Sequence, residues 1–231
     1  LKVKKINKIL FPEKLAPIIR GILKNNENSD YHKNIILNFR TNRKIIEYLN
    51  GDKLFTYSQK GTVTPDHVIR TKISPLVLDL KNITNLNDFE KIFHKELNKF
   101  IRNYNNYFQV NNIKEGKTKV KLDSLPRIIL IRGLGLFSIG SNYKNANISG
   151  DLAETNINVI LDAEKIGKYQ PISKSDAFKM EYWSLEQAKL KKSISKEFDG
   201  KVVVITGGSG AIGLATAKEF KNLGAEVVIL D

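Results

Sequence analysis

The sequence predicts an α/β fold, and three observations carry that prediction. Short β-branched or apolar runs alternate with longer segments of 3.6-residue apolar period. Helix starts are marked by Thr64 ahead of Pro65 and by Asn87 three residues before Glu90. At the far end, residues 200–231 compress a strand, a glycine-rich turn, a helix and a second strand into one βαβ unit.

The first helix begins at Pro12, with Leu15, Ile18, Ile19 and Ile22 on one face, and the polar run "KNNENSD" ends it. "NIILNF", Asn34 to Phe39, reads as a buried strand, and Asn42 to Asn50 as a helix closed by Gly51 in the C′ position. "PLVLDL", Pro75 to Leu80, reads as another strand. From Asn87 the longest stripe follows: Phe89, Phe93, Leu97, Phe100, Tyr104 and Phe108, with Ile92 and Ile101 beside them. Lys91, Lys95, Lys99 and Arg102 interleave with these aromatics. A stacking platform for single-stranded nucleic acid needs those residue types, but the helical spacing favours a core face with a solvated basic back.

"PRIILIR" reads as a buried strand, "GLGLFSIG" as a glycine-rich turn, and Asn142 to Ile166 as a long helix. Pro171 and Asp176 read as breakers before a helix over Ser184–Lys192 and a tight turn at Asp199–Gly200. The expected organisation is a first α/β region over 1–170, a linker with a helix over 171–199, and a second unit over 200–231. The boundary falls near Ser193 to Asp199.

Composition narrows the function classes. The 231 residues are 41% hydrophobic and 9% aromatic, which is globular. Thirty-eight Lys and Arg against 24 Asp and Glu give a formal charge of +14, scattered without the dense runs of a nucleic-acid tail. There is no Cys, so disulfides and thiol chemistry are excluded within this chain. Pro12, Glu13 and Pro17 interrupt the apolar stretch near the start, which argues against a membrane span or a signal peptide. A chain that begins at Leu1 and ends on a strand residue, Asp231, reads as an internal piece of a longer protein.

The chemistry is concentrated in "KVVVITGGSGAIGLATAKEFKNLGAEVVILD". Gly207, Gly208 and Gly210 permit positive φ and let backbone N–H groups approach a pyrophosphate, while Gly213 lets the helix pack closely on the strand. The helix N-terminus near Ala211 adds roughly half a positive charge. Asp231 lies 231 − 213 = 18 residues past the last glycine, close to the spacing of about 20 at which a carboxylate meets the adenine ribose. That carboxylate repels a 2′-phosphate, so the cofactor expected is NAD, held by Gly207, Ser209, Gly210, Ile212, Gly213 and Asp231.

Thr206-Gly207-Gly208-Ser209-Gly210-Ala211-Ile212-Gly213 resembles the Thr-Gly-x-x-Gly-x-x-Gly turn that opens a short-chain dehydrogenase/reductase, a Rossmann-type doubly wound sheet. "GTVTPDHVIRTK", "PRIILIRGLGLFSIG" and "EYWSLEQAKL", in that order before such a turn, resemble the bifunctional aldolase/short-chain dehydrogenases of the rhamnulose-phosphate aldolase/lactaldehyde dehydrogenase type. The resemblance implies an aldolase-like α/β domain followed by the first βαβ unit of the dehydrogenase. It implies zinc-dependent cleavage of a ketose 1-phosphate upstream of Leu1, and NAD-linked oxidation of the resulting aldehyde by residues beyond Asp231. No catalytic residue is therefore assigned within the chain. It also implies sugar phosphate and aldehyde substrates, a cytoplasmic homo-oligomer, and neither nucleic-acid nor membrane partners.

One departure bears on metal binding. Class II aldolases place a metal-binding His just before a Gly-Leu-Phe-like turn, and here Leu134 stands at that position. His32, His67 and His94 show no ligand spacing, so no metal site is expected. The cluster Thr64, Asp66, His67, Arg70 and Lys72 leaves two readings open: a hold on a sugar phosphate, or a capped turn with surface charges. A non-catalytic NAD-sensing scaffold, or a basic nucleic-acid binder, is the alternative to the enzyme.

Overall fold

The computed structural model describes residues 11–26, 35–81, 83, 85–190 and 196–231. Helix α1 (Pro12–Lys24) leads to strand β1 (Ile36–Arg40), helix α2 (Arg43–Asn50), the one-turn α3 (Leu54–Tyr57) and α4 (Pro65–Thr71). Strand β2 (Leu76–Leu78), the 29-residue α5 (Leu86–Lys114) and strands β3 (Ile128–Ile131) and β4 (Gly135–Gly140) follow. Helices α6 (Tyr143–Ile166), α7 (Lys174–Glu181) and α8 (Ser184–Ala188) precede the unit β5 (Val202–Thr206), α9 (Ala211–Asn222) and β6 (Glu226–Leu230).

A four-stranded mixed sheet, ordered β1-β4-β3-β2, organises residues 11–190. β4 runs antiparallel to both β1 and β3, and β2 runs parallel to β3. Because successive side chains point to opposite faces, Ile129 and Ile131 join a core under α1 and α5, while Ile128 and Leu130 join another under α2 and α6. Helices on both faces explain why β2 and β3 are apolar throughout. A third cluster seats Phe178 and Tyr182 at α7 against Tyr104, Tyr107 and Phe108 of α5. Among the described residues no helix is long and apolar enough to cross a membrane.

The α/β layering is as the sequence predicts, and the α5 stripe is a core face. Several local expectations are corrected. "GLGLFSIG" is mostly strand, not turn: β4 is buried along its whole length, and a Cβ on Gly135 would lie 2.6 Å from the Arg40 carbonyl oxygen. The glycine answers the close approach of a neighbouring strand, which sequence alone does not display. α5 starts earlier than Asn87, because the Asn85 side chain accepts from the Asp88 amide at 2.9 Å and donates back to the Asp88 carboxylate at 2.8 Å. Asp176 does not break structure; it sits in the first turn of α7, where Ser173 caps its amide and a carboxylate favours the helix dipole. Gly51 is extended at φ −63°, so α2 ends without a left-handed residue. The expected strand Pro75–Leu80 is paired only over Leu76–Leu78, and the helix expected to reach Lys192 ends at Ala188. His32 lies outside the described residues, as does part of the stretch assigned as a boundary.

The β5–α9–β6 unit is a parallel pair crossed by one helix. Val202 and Val204 are 47% and 57% exposed, so β5 is not buried on both faces as its composition predicts. Bonds from the first region reach the unit: Arg20 donates to the Gly200 carbonyl at 2.8 Å, and the Tyr143 amide donates to the Glu226 carboxylate at 3.1 Å.

Candidate nucleotide-binding site

The turn between β5 and α9 is shaped by four glycines with different duties. Gly207 donates to the Leu230 carbonyl at 2.9 Å and adopts φ +65°, where a side chain is strained even though a Cβ would meet nothing within 4 Å. Gly213 is required for space: its Cβ would lie 2.2 Å from the Gly207 oxygen and 2.7 Å from the Gly208 Cα. The helix therefore packs on the turn itself, where the sequence suggested the strand. Gly208 is equally confined, since its Cβ would meet Ile229 at 2.6 Å. Gly210 is the N-cap in an extended conformation, φ −69°, so of Gly207, Gly208 and Gly210 only Gly207 uses positive φ.

A glycine N-cap has no side chain to satisfy the first amides of α9, and no side-chain cap bond is made there. Those amides and the helix dipole leave a positive end that suits a phosphate. Ile212, 85% exposed, lies in this first turn. Asp231 folds back over the loop, and its carboxylate accepts from the Ser209 amide at 3.0 Å. All six residues singled out from the sequence, Gly207, Ser209, Gly210, Ile212, Gly213 and Asp231, thus gather at the carboxyl ends of β5 and β6, where open α/β sheets bind ligands.

The Thr64–Lys72 cluster keeps Asp66 as a surface charge paired with Lys189, and departs from both sequence readings at Thr64 and Lys72. Thr64 does not cap the helix amides; its hydroxyl pairs with His67 Nδ1 at 2.8 Å. His67 is buried, and burial pulls its imidazole pKa below the usual value, which favours the neutral ring. Lys72 is neither a surface charge nor poised for a phosphate. It is 3% exposed at φ +63°, donates to the Asp123 carbonyl at 2.6 Å and lies 3.8 Å above the Tyr104 ring.

Beneath it Glu181 accepts from the Tyr104 hydroxyl at 2.7 Å. Burial raises the Glu181 carboxyl, with Lys72 opposing. Burial also acts to raise Asp123, but the Arg127 guanidinium outweighs it and holds that carboxyl at about 2. Sequence reasoning missed this network, whose only local signal is a lysine ending an amphipathic turn.

Leu134 packs into the core with Ile131 and Phe137. His94 and His67 lie on separate helices, and among the described residues no group of three or more His, Cys, Asp or Glu is placed to hold a metal.

The family model for the second domain of class II aldolases matches residues 12–190. YuxG, an uncharacterized oxidoreductase of Bacillus subtilis, is 31% identical over 219 residues, covering 94% of this chain and 30% of its own length. Short-chain dehydrogenase reductase 4 of Arabidopsis thaliana is 39% identical over 61 residues, 25% of this chain and 20% of its own length. The chain thus spans less than a third of the curated relatives it matches. No solved structure matches it significantly. The matched region runs from α1 through α8 and takes in the whole four-stranded sheet with its covering helices, so the chain belongs to the class II aldolase second-domain family.

Proposed function

We propose that residues 200–231 open an NAD-binding dehydrogenase domain, joined through 171–199 to an aldolase-like region over 1–170. The chain is then part of a bifunctional enzyme that couples class II aldol cleavage of a ketose 1-phosphate to oxidation of the resulting lactaldehyde-like aldehyde. The observation that carries this reading is the uncapped N-terminus of α9, held against the turn by Gly213, with Asp231 beside it. Those residues fit a dinucleotide: amides for the pyrophosphate, and a carboxylate for ribose hydroxyls. Bound NAD would supply the hydride acceptor, and the chain's part is to place and orient it.

Kinship with an oxidoreductase over 94% of the chain supports the enzyme class, and the uncovered faces of β5 and β6 support their place in a larger sheet. Zinc belongs, in this proposal, to an upstream aldolase region, since Leu134 offers no ligand. The partners proposed are small molecules and further copies of the same protein, in the cytoplasm.

Expression from the natural reading frame, followed by assays of aldol cleavage and of NADH formation from lactaldehyde, tests the proposal. Gly213→Val should abolish NADH formation and leave aldol cleavage intact. NAD binding without turnover of any small hydroxyaldehyde would favour the sensing scaffold instead.

A further inference from the structure

A groove of about 700 Å³ opens over the outer edge of β2. β2 is an edge strand, and the two sheet faces flank the opening: Phe100 of α5 packs with Leu76 and Leu78, while Leu54 and Tyr57 of α3 pack with Val77. The phase of the ladder is fixed because the Arg132 amide donates to the Leu78 carbonyl at 3.0 Å. In a parallel pair this turns the N–H and C=O of Leu76 and Leu78 toward β3, and those of Val77 toward the open edge. The preceding outward carbonyl, that of Pro75, is taken by Gln59 Nε2 at 3.1 Å. Among the described residues no such partner engages the Val77 backbone, which leaves one open rung.

Shape and charge specify the occupant. The α5 wall runs from Glu96 to Lys114, or 18 positions, roughly 27 Å. A lining that follows α5 over that length suits an extended chain better than a compact metabolite. Lys99 and Lys114 stand toward the two ends of this wall, Lys174 at the start of α7 also lines the groove, and Glu96 is the lone carboxylate of the lining. Lys99 lies 3.7 Å from Glu96 but remains 63% exposed, so its charge still faces solvent. Between the lysines, Ile73, Leu76, Phe100 and Tyr107 offer an apolar floor.

We propose that this groove binds an extended acidic peptide segment of a partner protein. The segment adds its backbone to β2 at Val77 and sets carboxylates against Lys99, Lys114 and Lys174.

The test uses the full chain and a fluorescein-labelled peptide of seven alternating Glu and Val residues, roughly 23 Å long when extended. Anisotropy should report saturable binding that a Lys-Val counterpart lacks, weakened about tenfold or more by the double variant Lys99→Glu/Lys114→Glu. Both lysines are solvent-exposed, and circular dichroism checks that the variant is folded. Hydrogen exchange of the Val77 amide should slow on peptide addition. The proposal is overturned by absence of binding up to about 1 mM peptide, by equal binding of the lysine peptide, or by indifference to the double reversal. It is also overturned by an unchanged Val77 amide, or by displacement of the peptide by equimolar inorganic phosphate, which would mark a plain anion site.

Discussion

The Ser209 amide donates to the Asp231 carboxylate at 3.0 Å, joining the glycine-rich turn to the end of the neighbouring strand. A charged acceptor at that point both steadies the loop and puts a negative charge beside the helix end where a nucleotide would lie. Replacing Asp231 with Ala should weaken NAD binding by roughly tenfold or more, since hydrogen bonds to charged groups contribute about 1.5–3 kcal/mol. NADP binding should improve in the same variant. Paired titrations of NAD and NADP against the protein expressed from its natural reading frame check both; an unchanged NAD/NADP ratio would remove Asp231 from the site.

The glycines of the turn should respond unequally. At Gly213 an added Cβ meets backbone at 2.2 Å and nothing there can swing aside, so Gly213→Ala should destabilise the β5–α9–β6 unit by about 1–3 kcal/mol. At Gly210 the nearest atom would be 3.5 Å away and φ is already negative, so Gly210→Ala should cost less than about 1 kcal/mol, mainly as a poorer cap. Urea denaturation followed through amides of β5 distinguishes the two, and equal losses would mean that close packing on the turn is not what Gly213 provides.

His67 gives a prediction for pH. Burial lowers its folded pKa, so the folded ring takes up a proton at lower pH than the unfolded ring, which binds one below about 6.5. Above that value the group adds no pH dependence; as pH falls below it, the unfolded state takes up more protons and stability is lost. His67→Gln should flatten the decline in unfolding free energy as pH falls below about 6.5. A slope identical to that of the unaltered protein would show that the decline originates elsewhere.

The buried Lys72–Tyr104–Glu181 network should be sensitive to which partner is removed. Glu181→Ala leaves the Tyr104 hydroxyl with one bond fewer and removes one of the carboxylates near Lys72, Asp123 being another, and should cost about 1–3 kcal/mol. Glu181→Gln retains an acceptor oxygen for Tyr104 and should cost clearly less. Thermal unfolding of both variants is the measurement, and equal losses would rule out the hydrogen bond as the main contribution.

Much of this was legible locally. β5, the turn, α9 and β6 follow from β-branched runs and glycine spacing, all within a few residues of one another. The α5 core stripe was legible for the same reason, because a 3.6-residue period needs no knowledge of the partner. β4 was not: its glycines read as a turn until Arg40 and Phe39 of β1 are brought against Gly135 from nearly a hundred residues away. α7 was hidden behind Asp176, a residue that breaks helices in their interiors and stabilises them in the first turn.

By itself the sequence determined the α/β class, the strand–turn–helix–strand unit and the gathering of Gly207, Gly213 and Asp231 at one end of it, because short-range geometry sets each of these. Only the tertiary structure decided that Lys72 is a buried cation and not a phosphate ligand, that Leu134 is core, and that β2 offers an open rung at Val77. Those outcomes depend on which distant segments meet, and no local pattern encodes the far side of a contact.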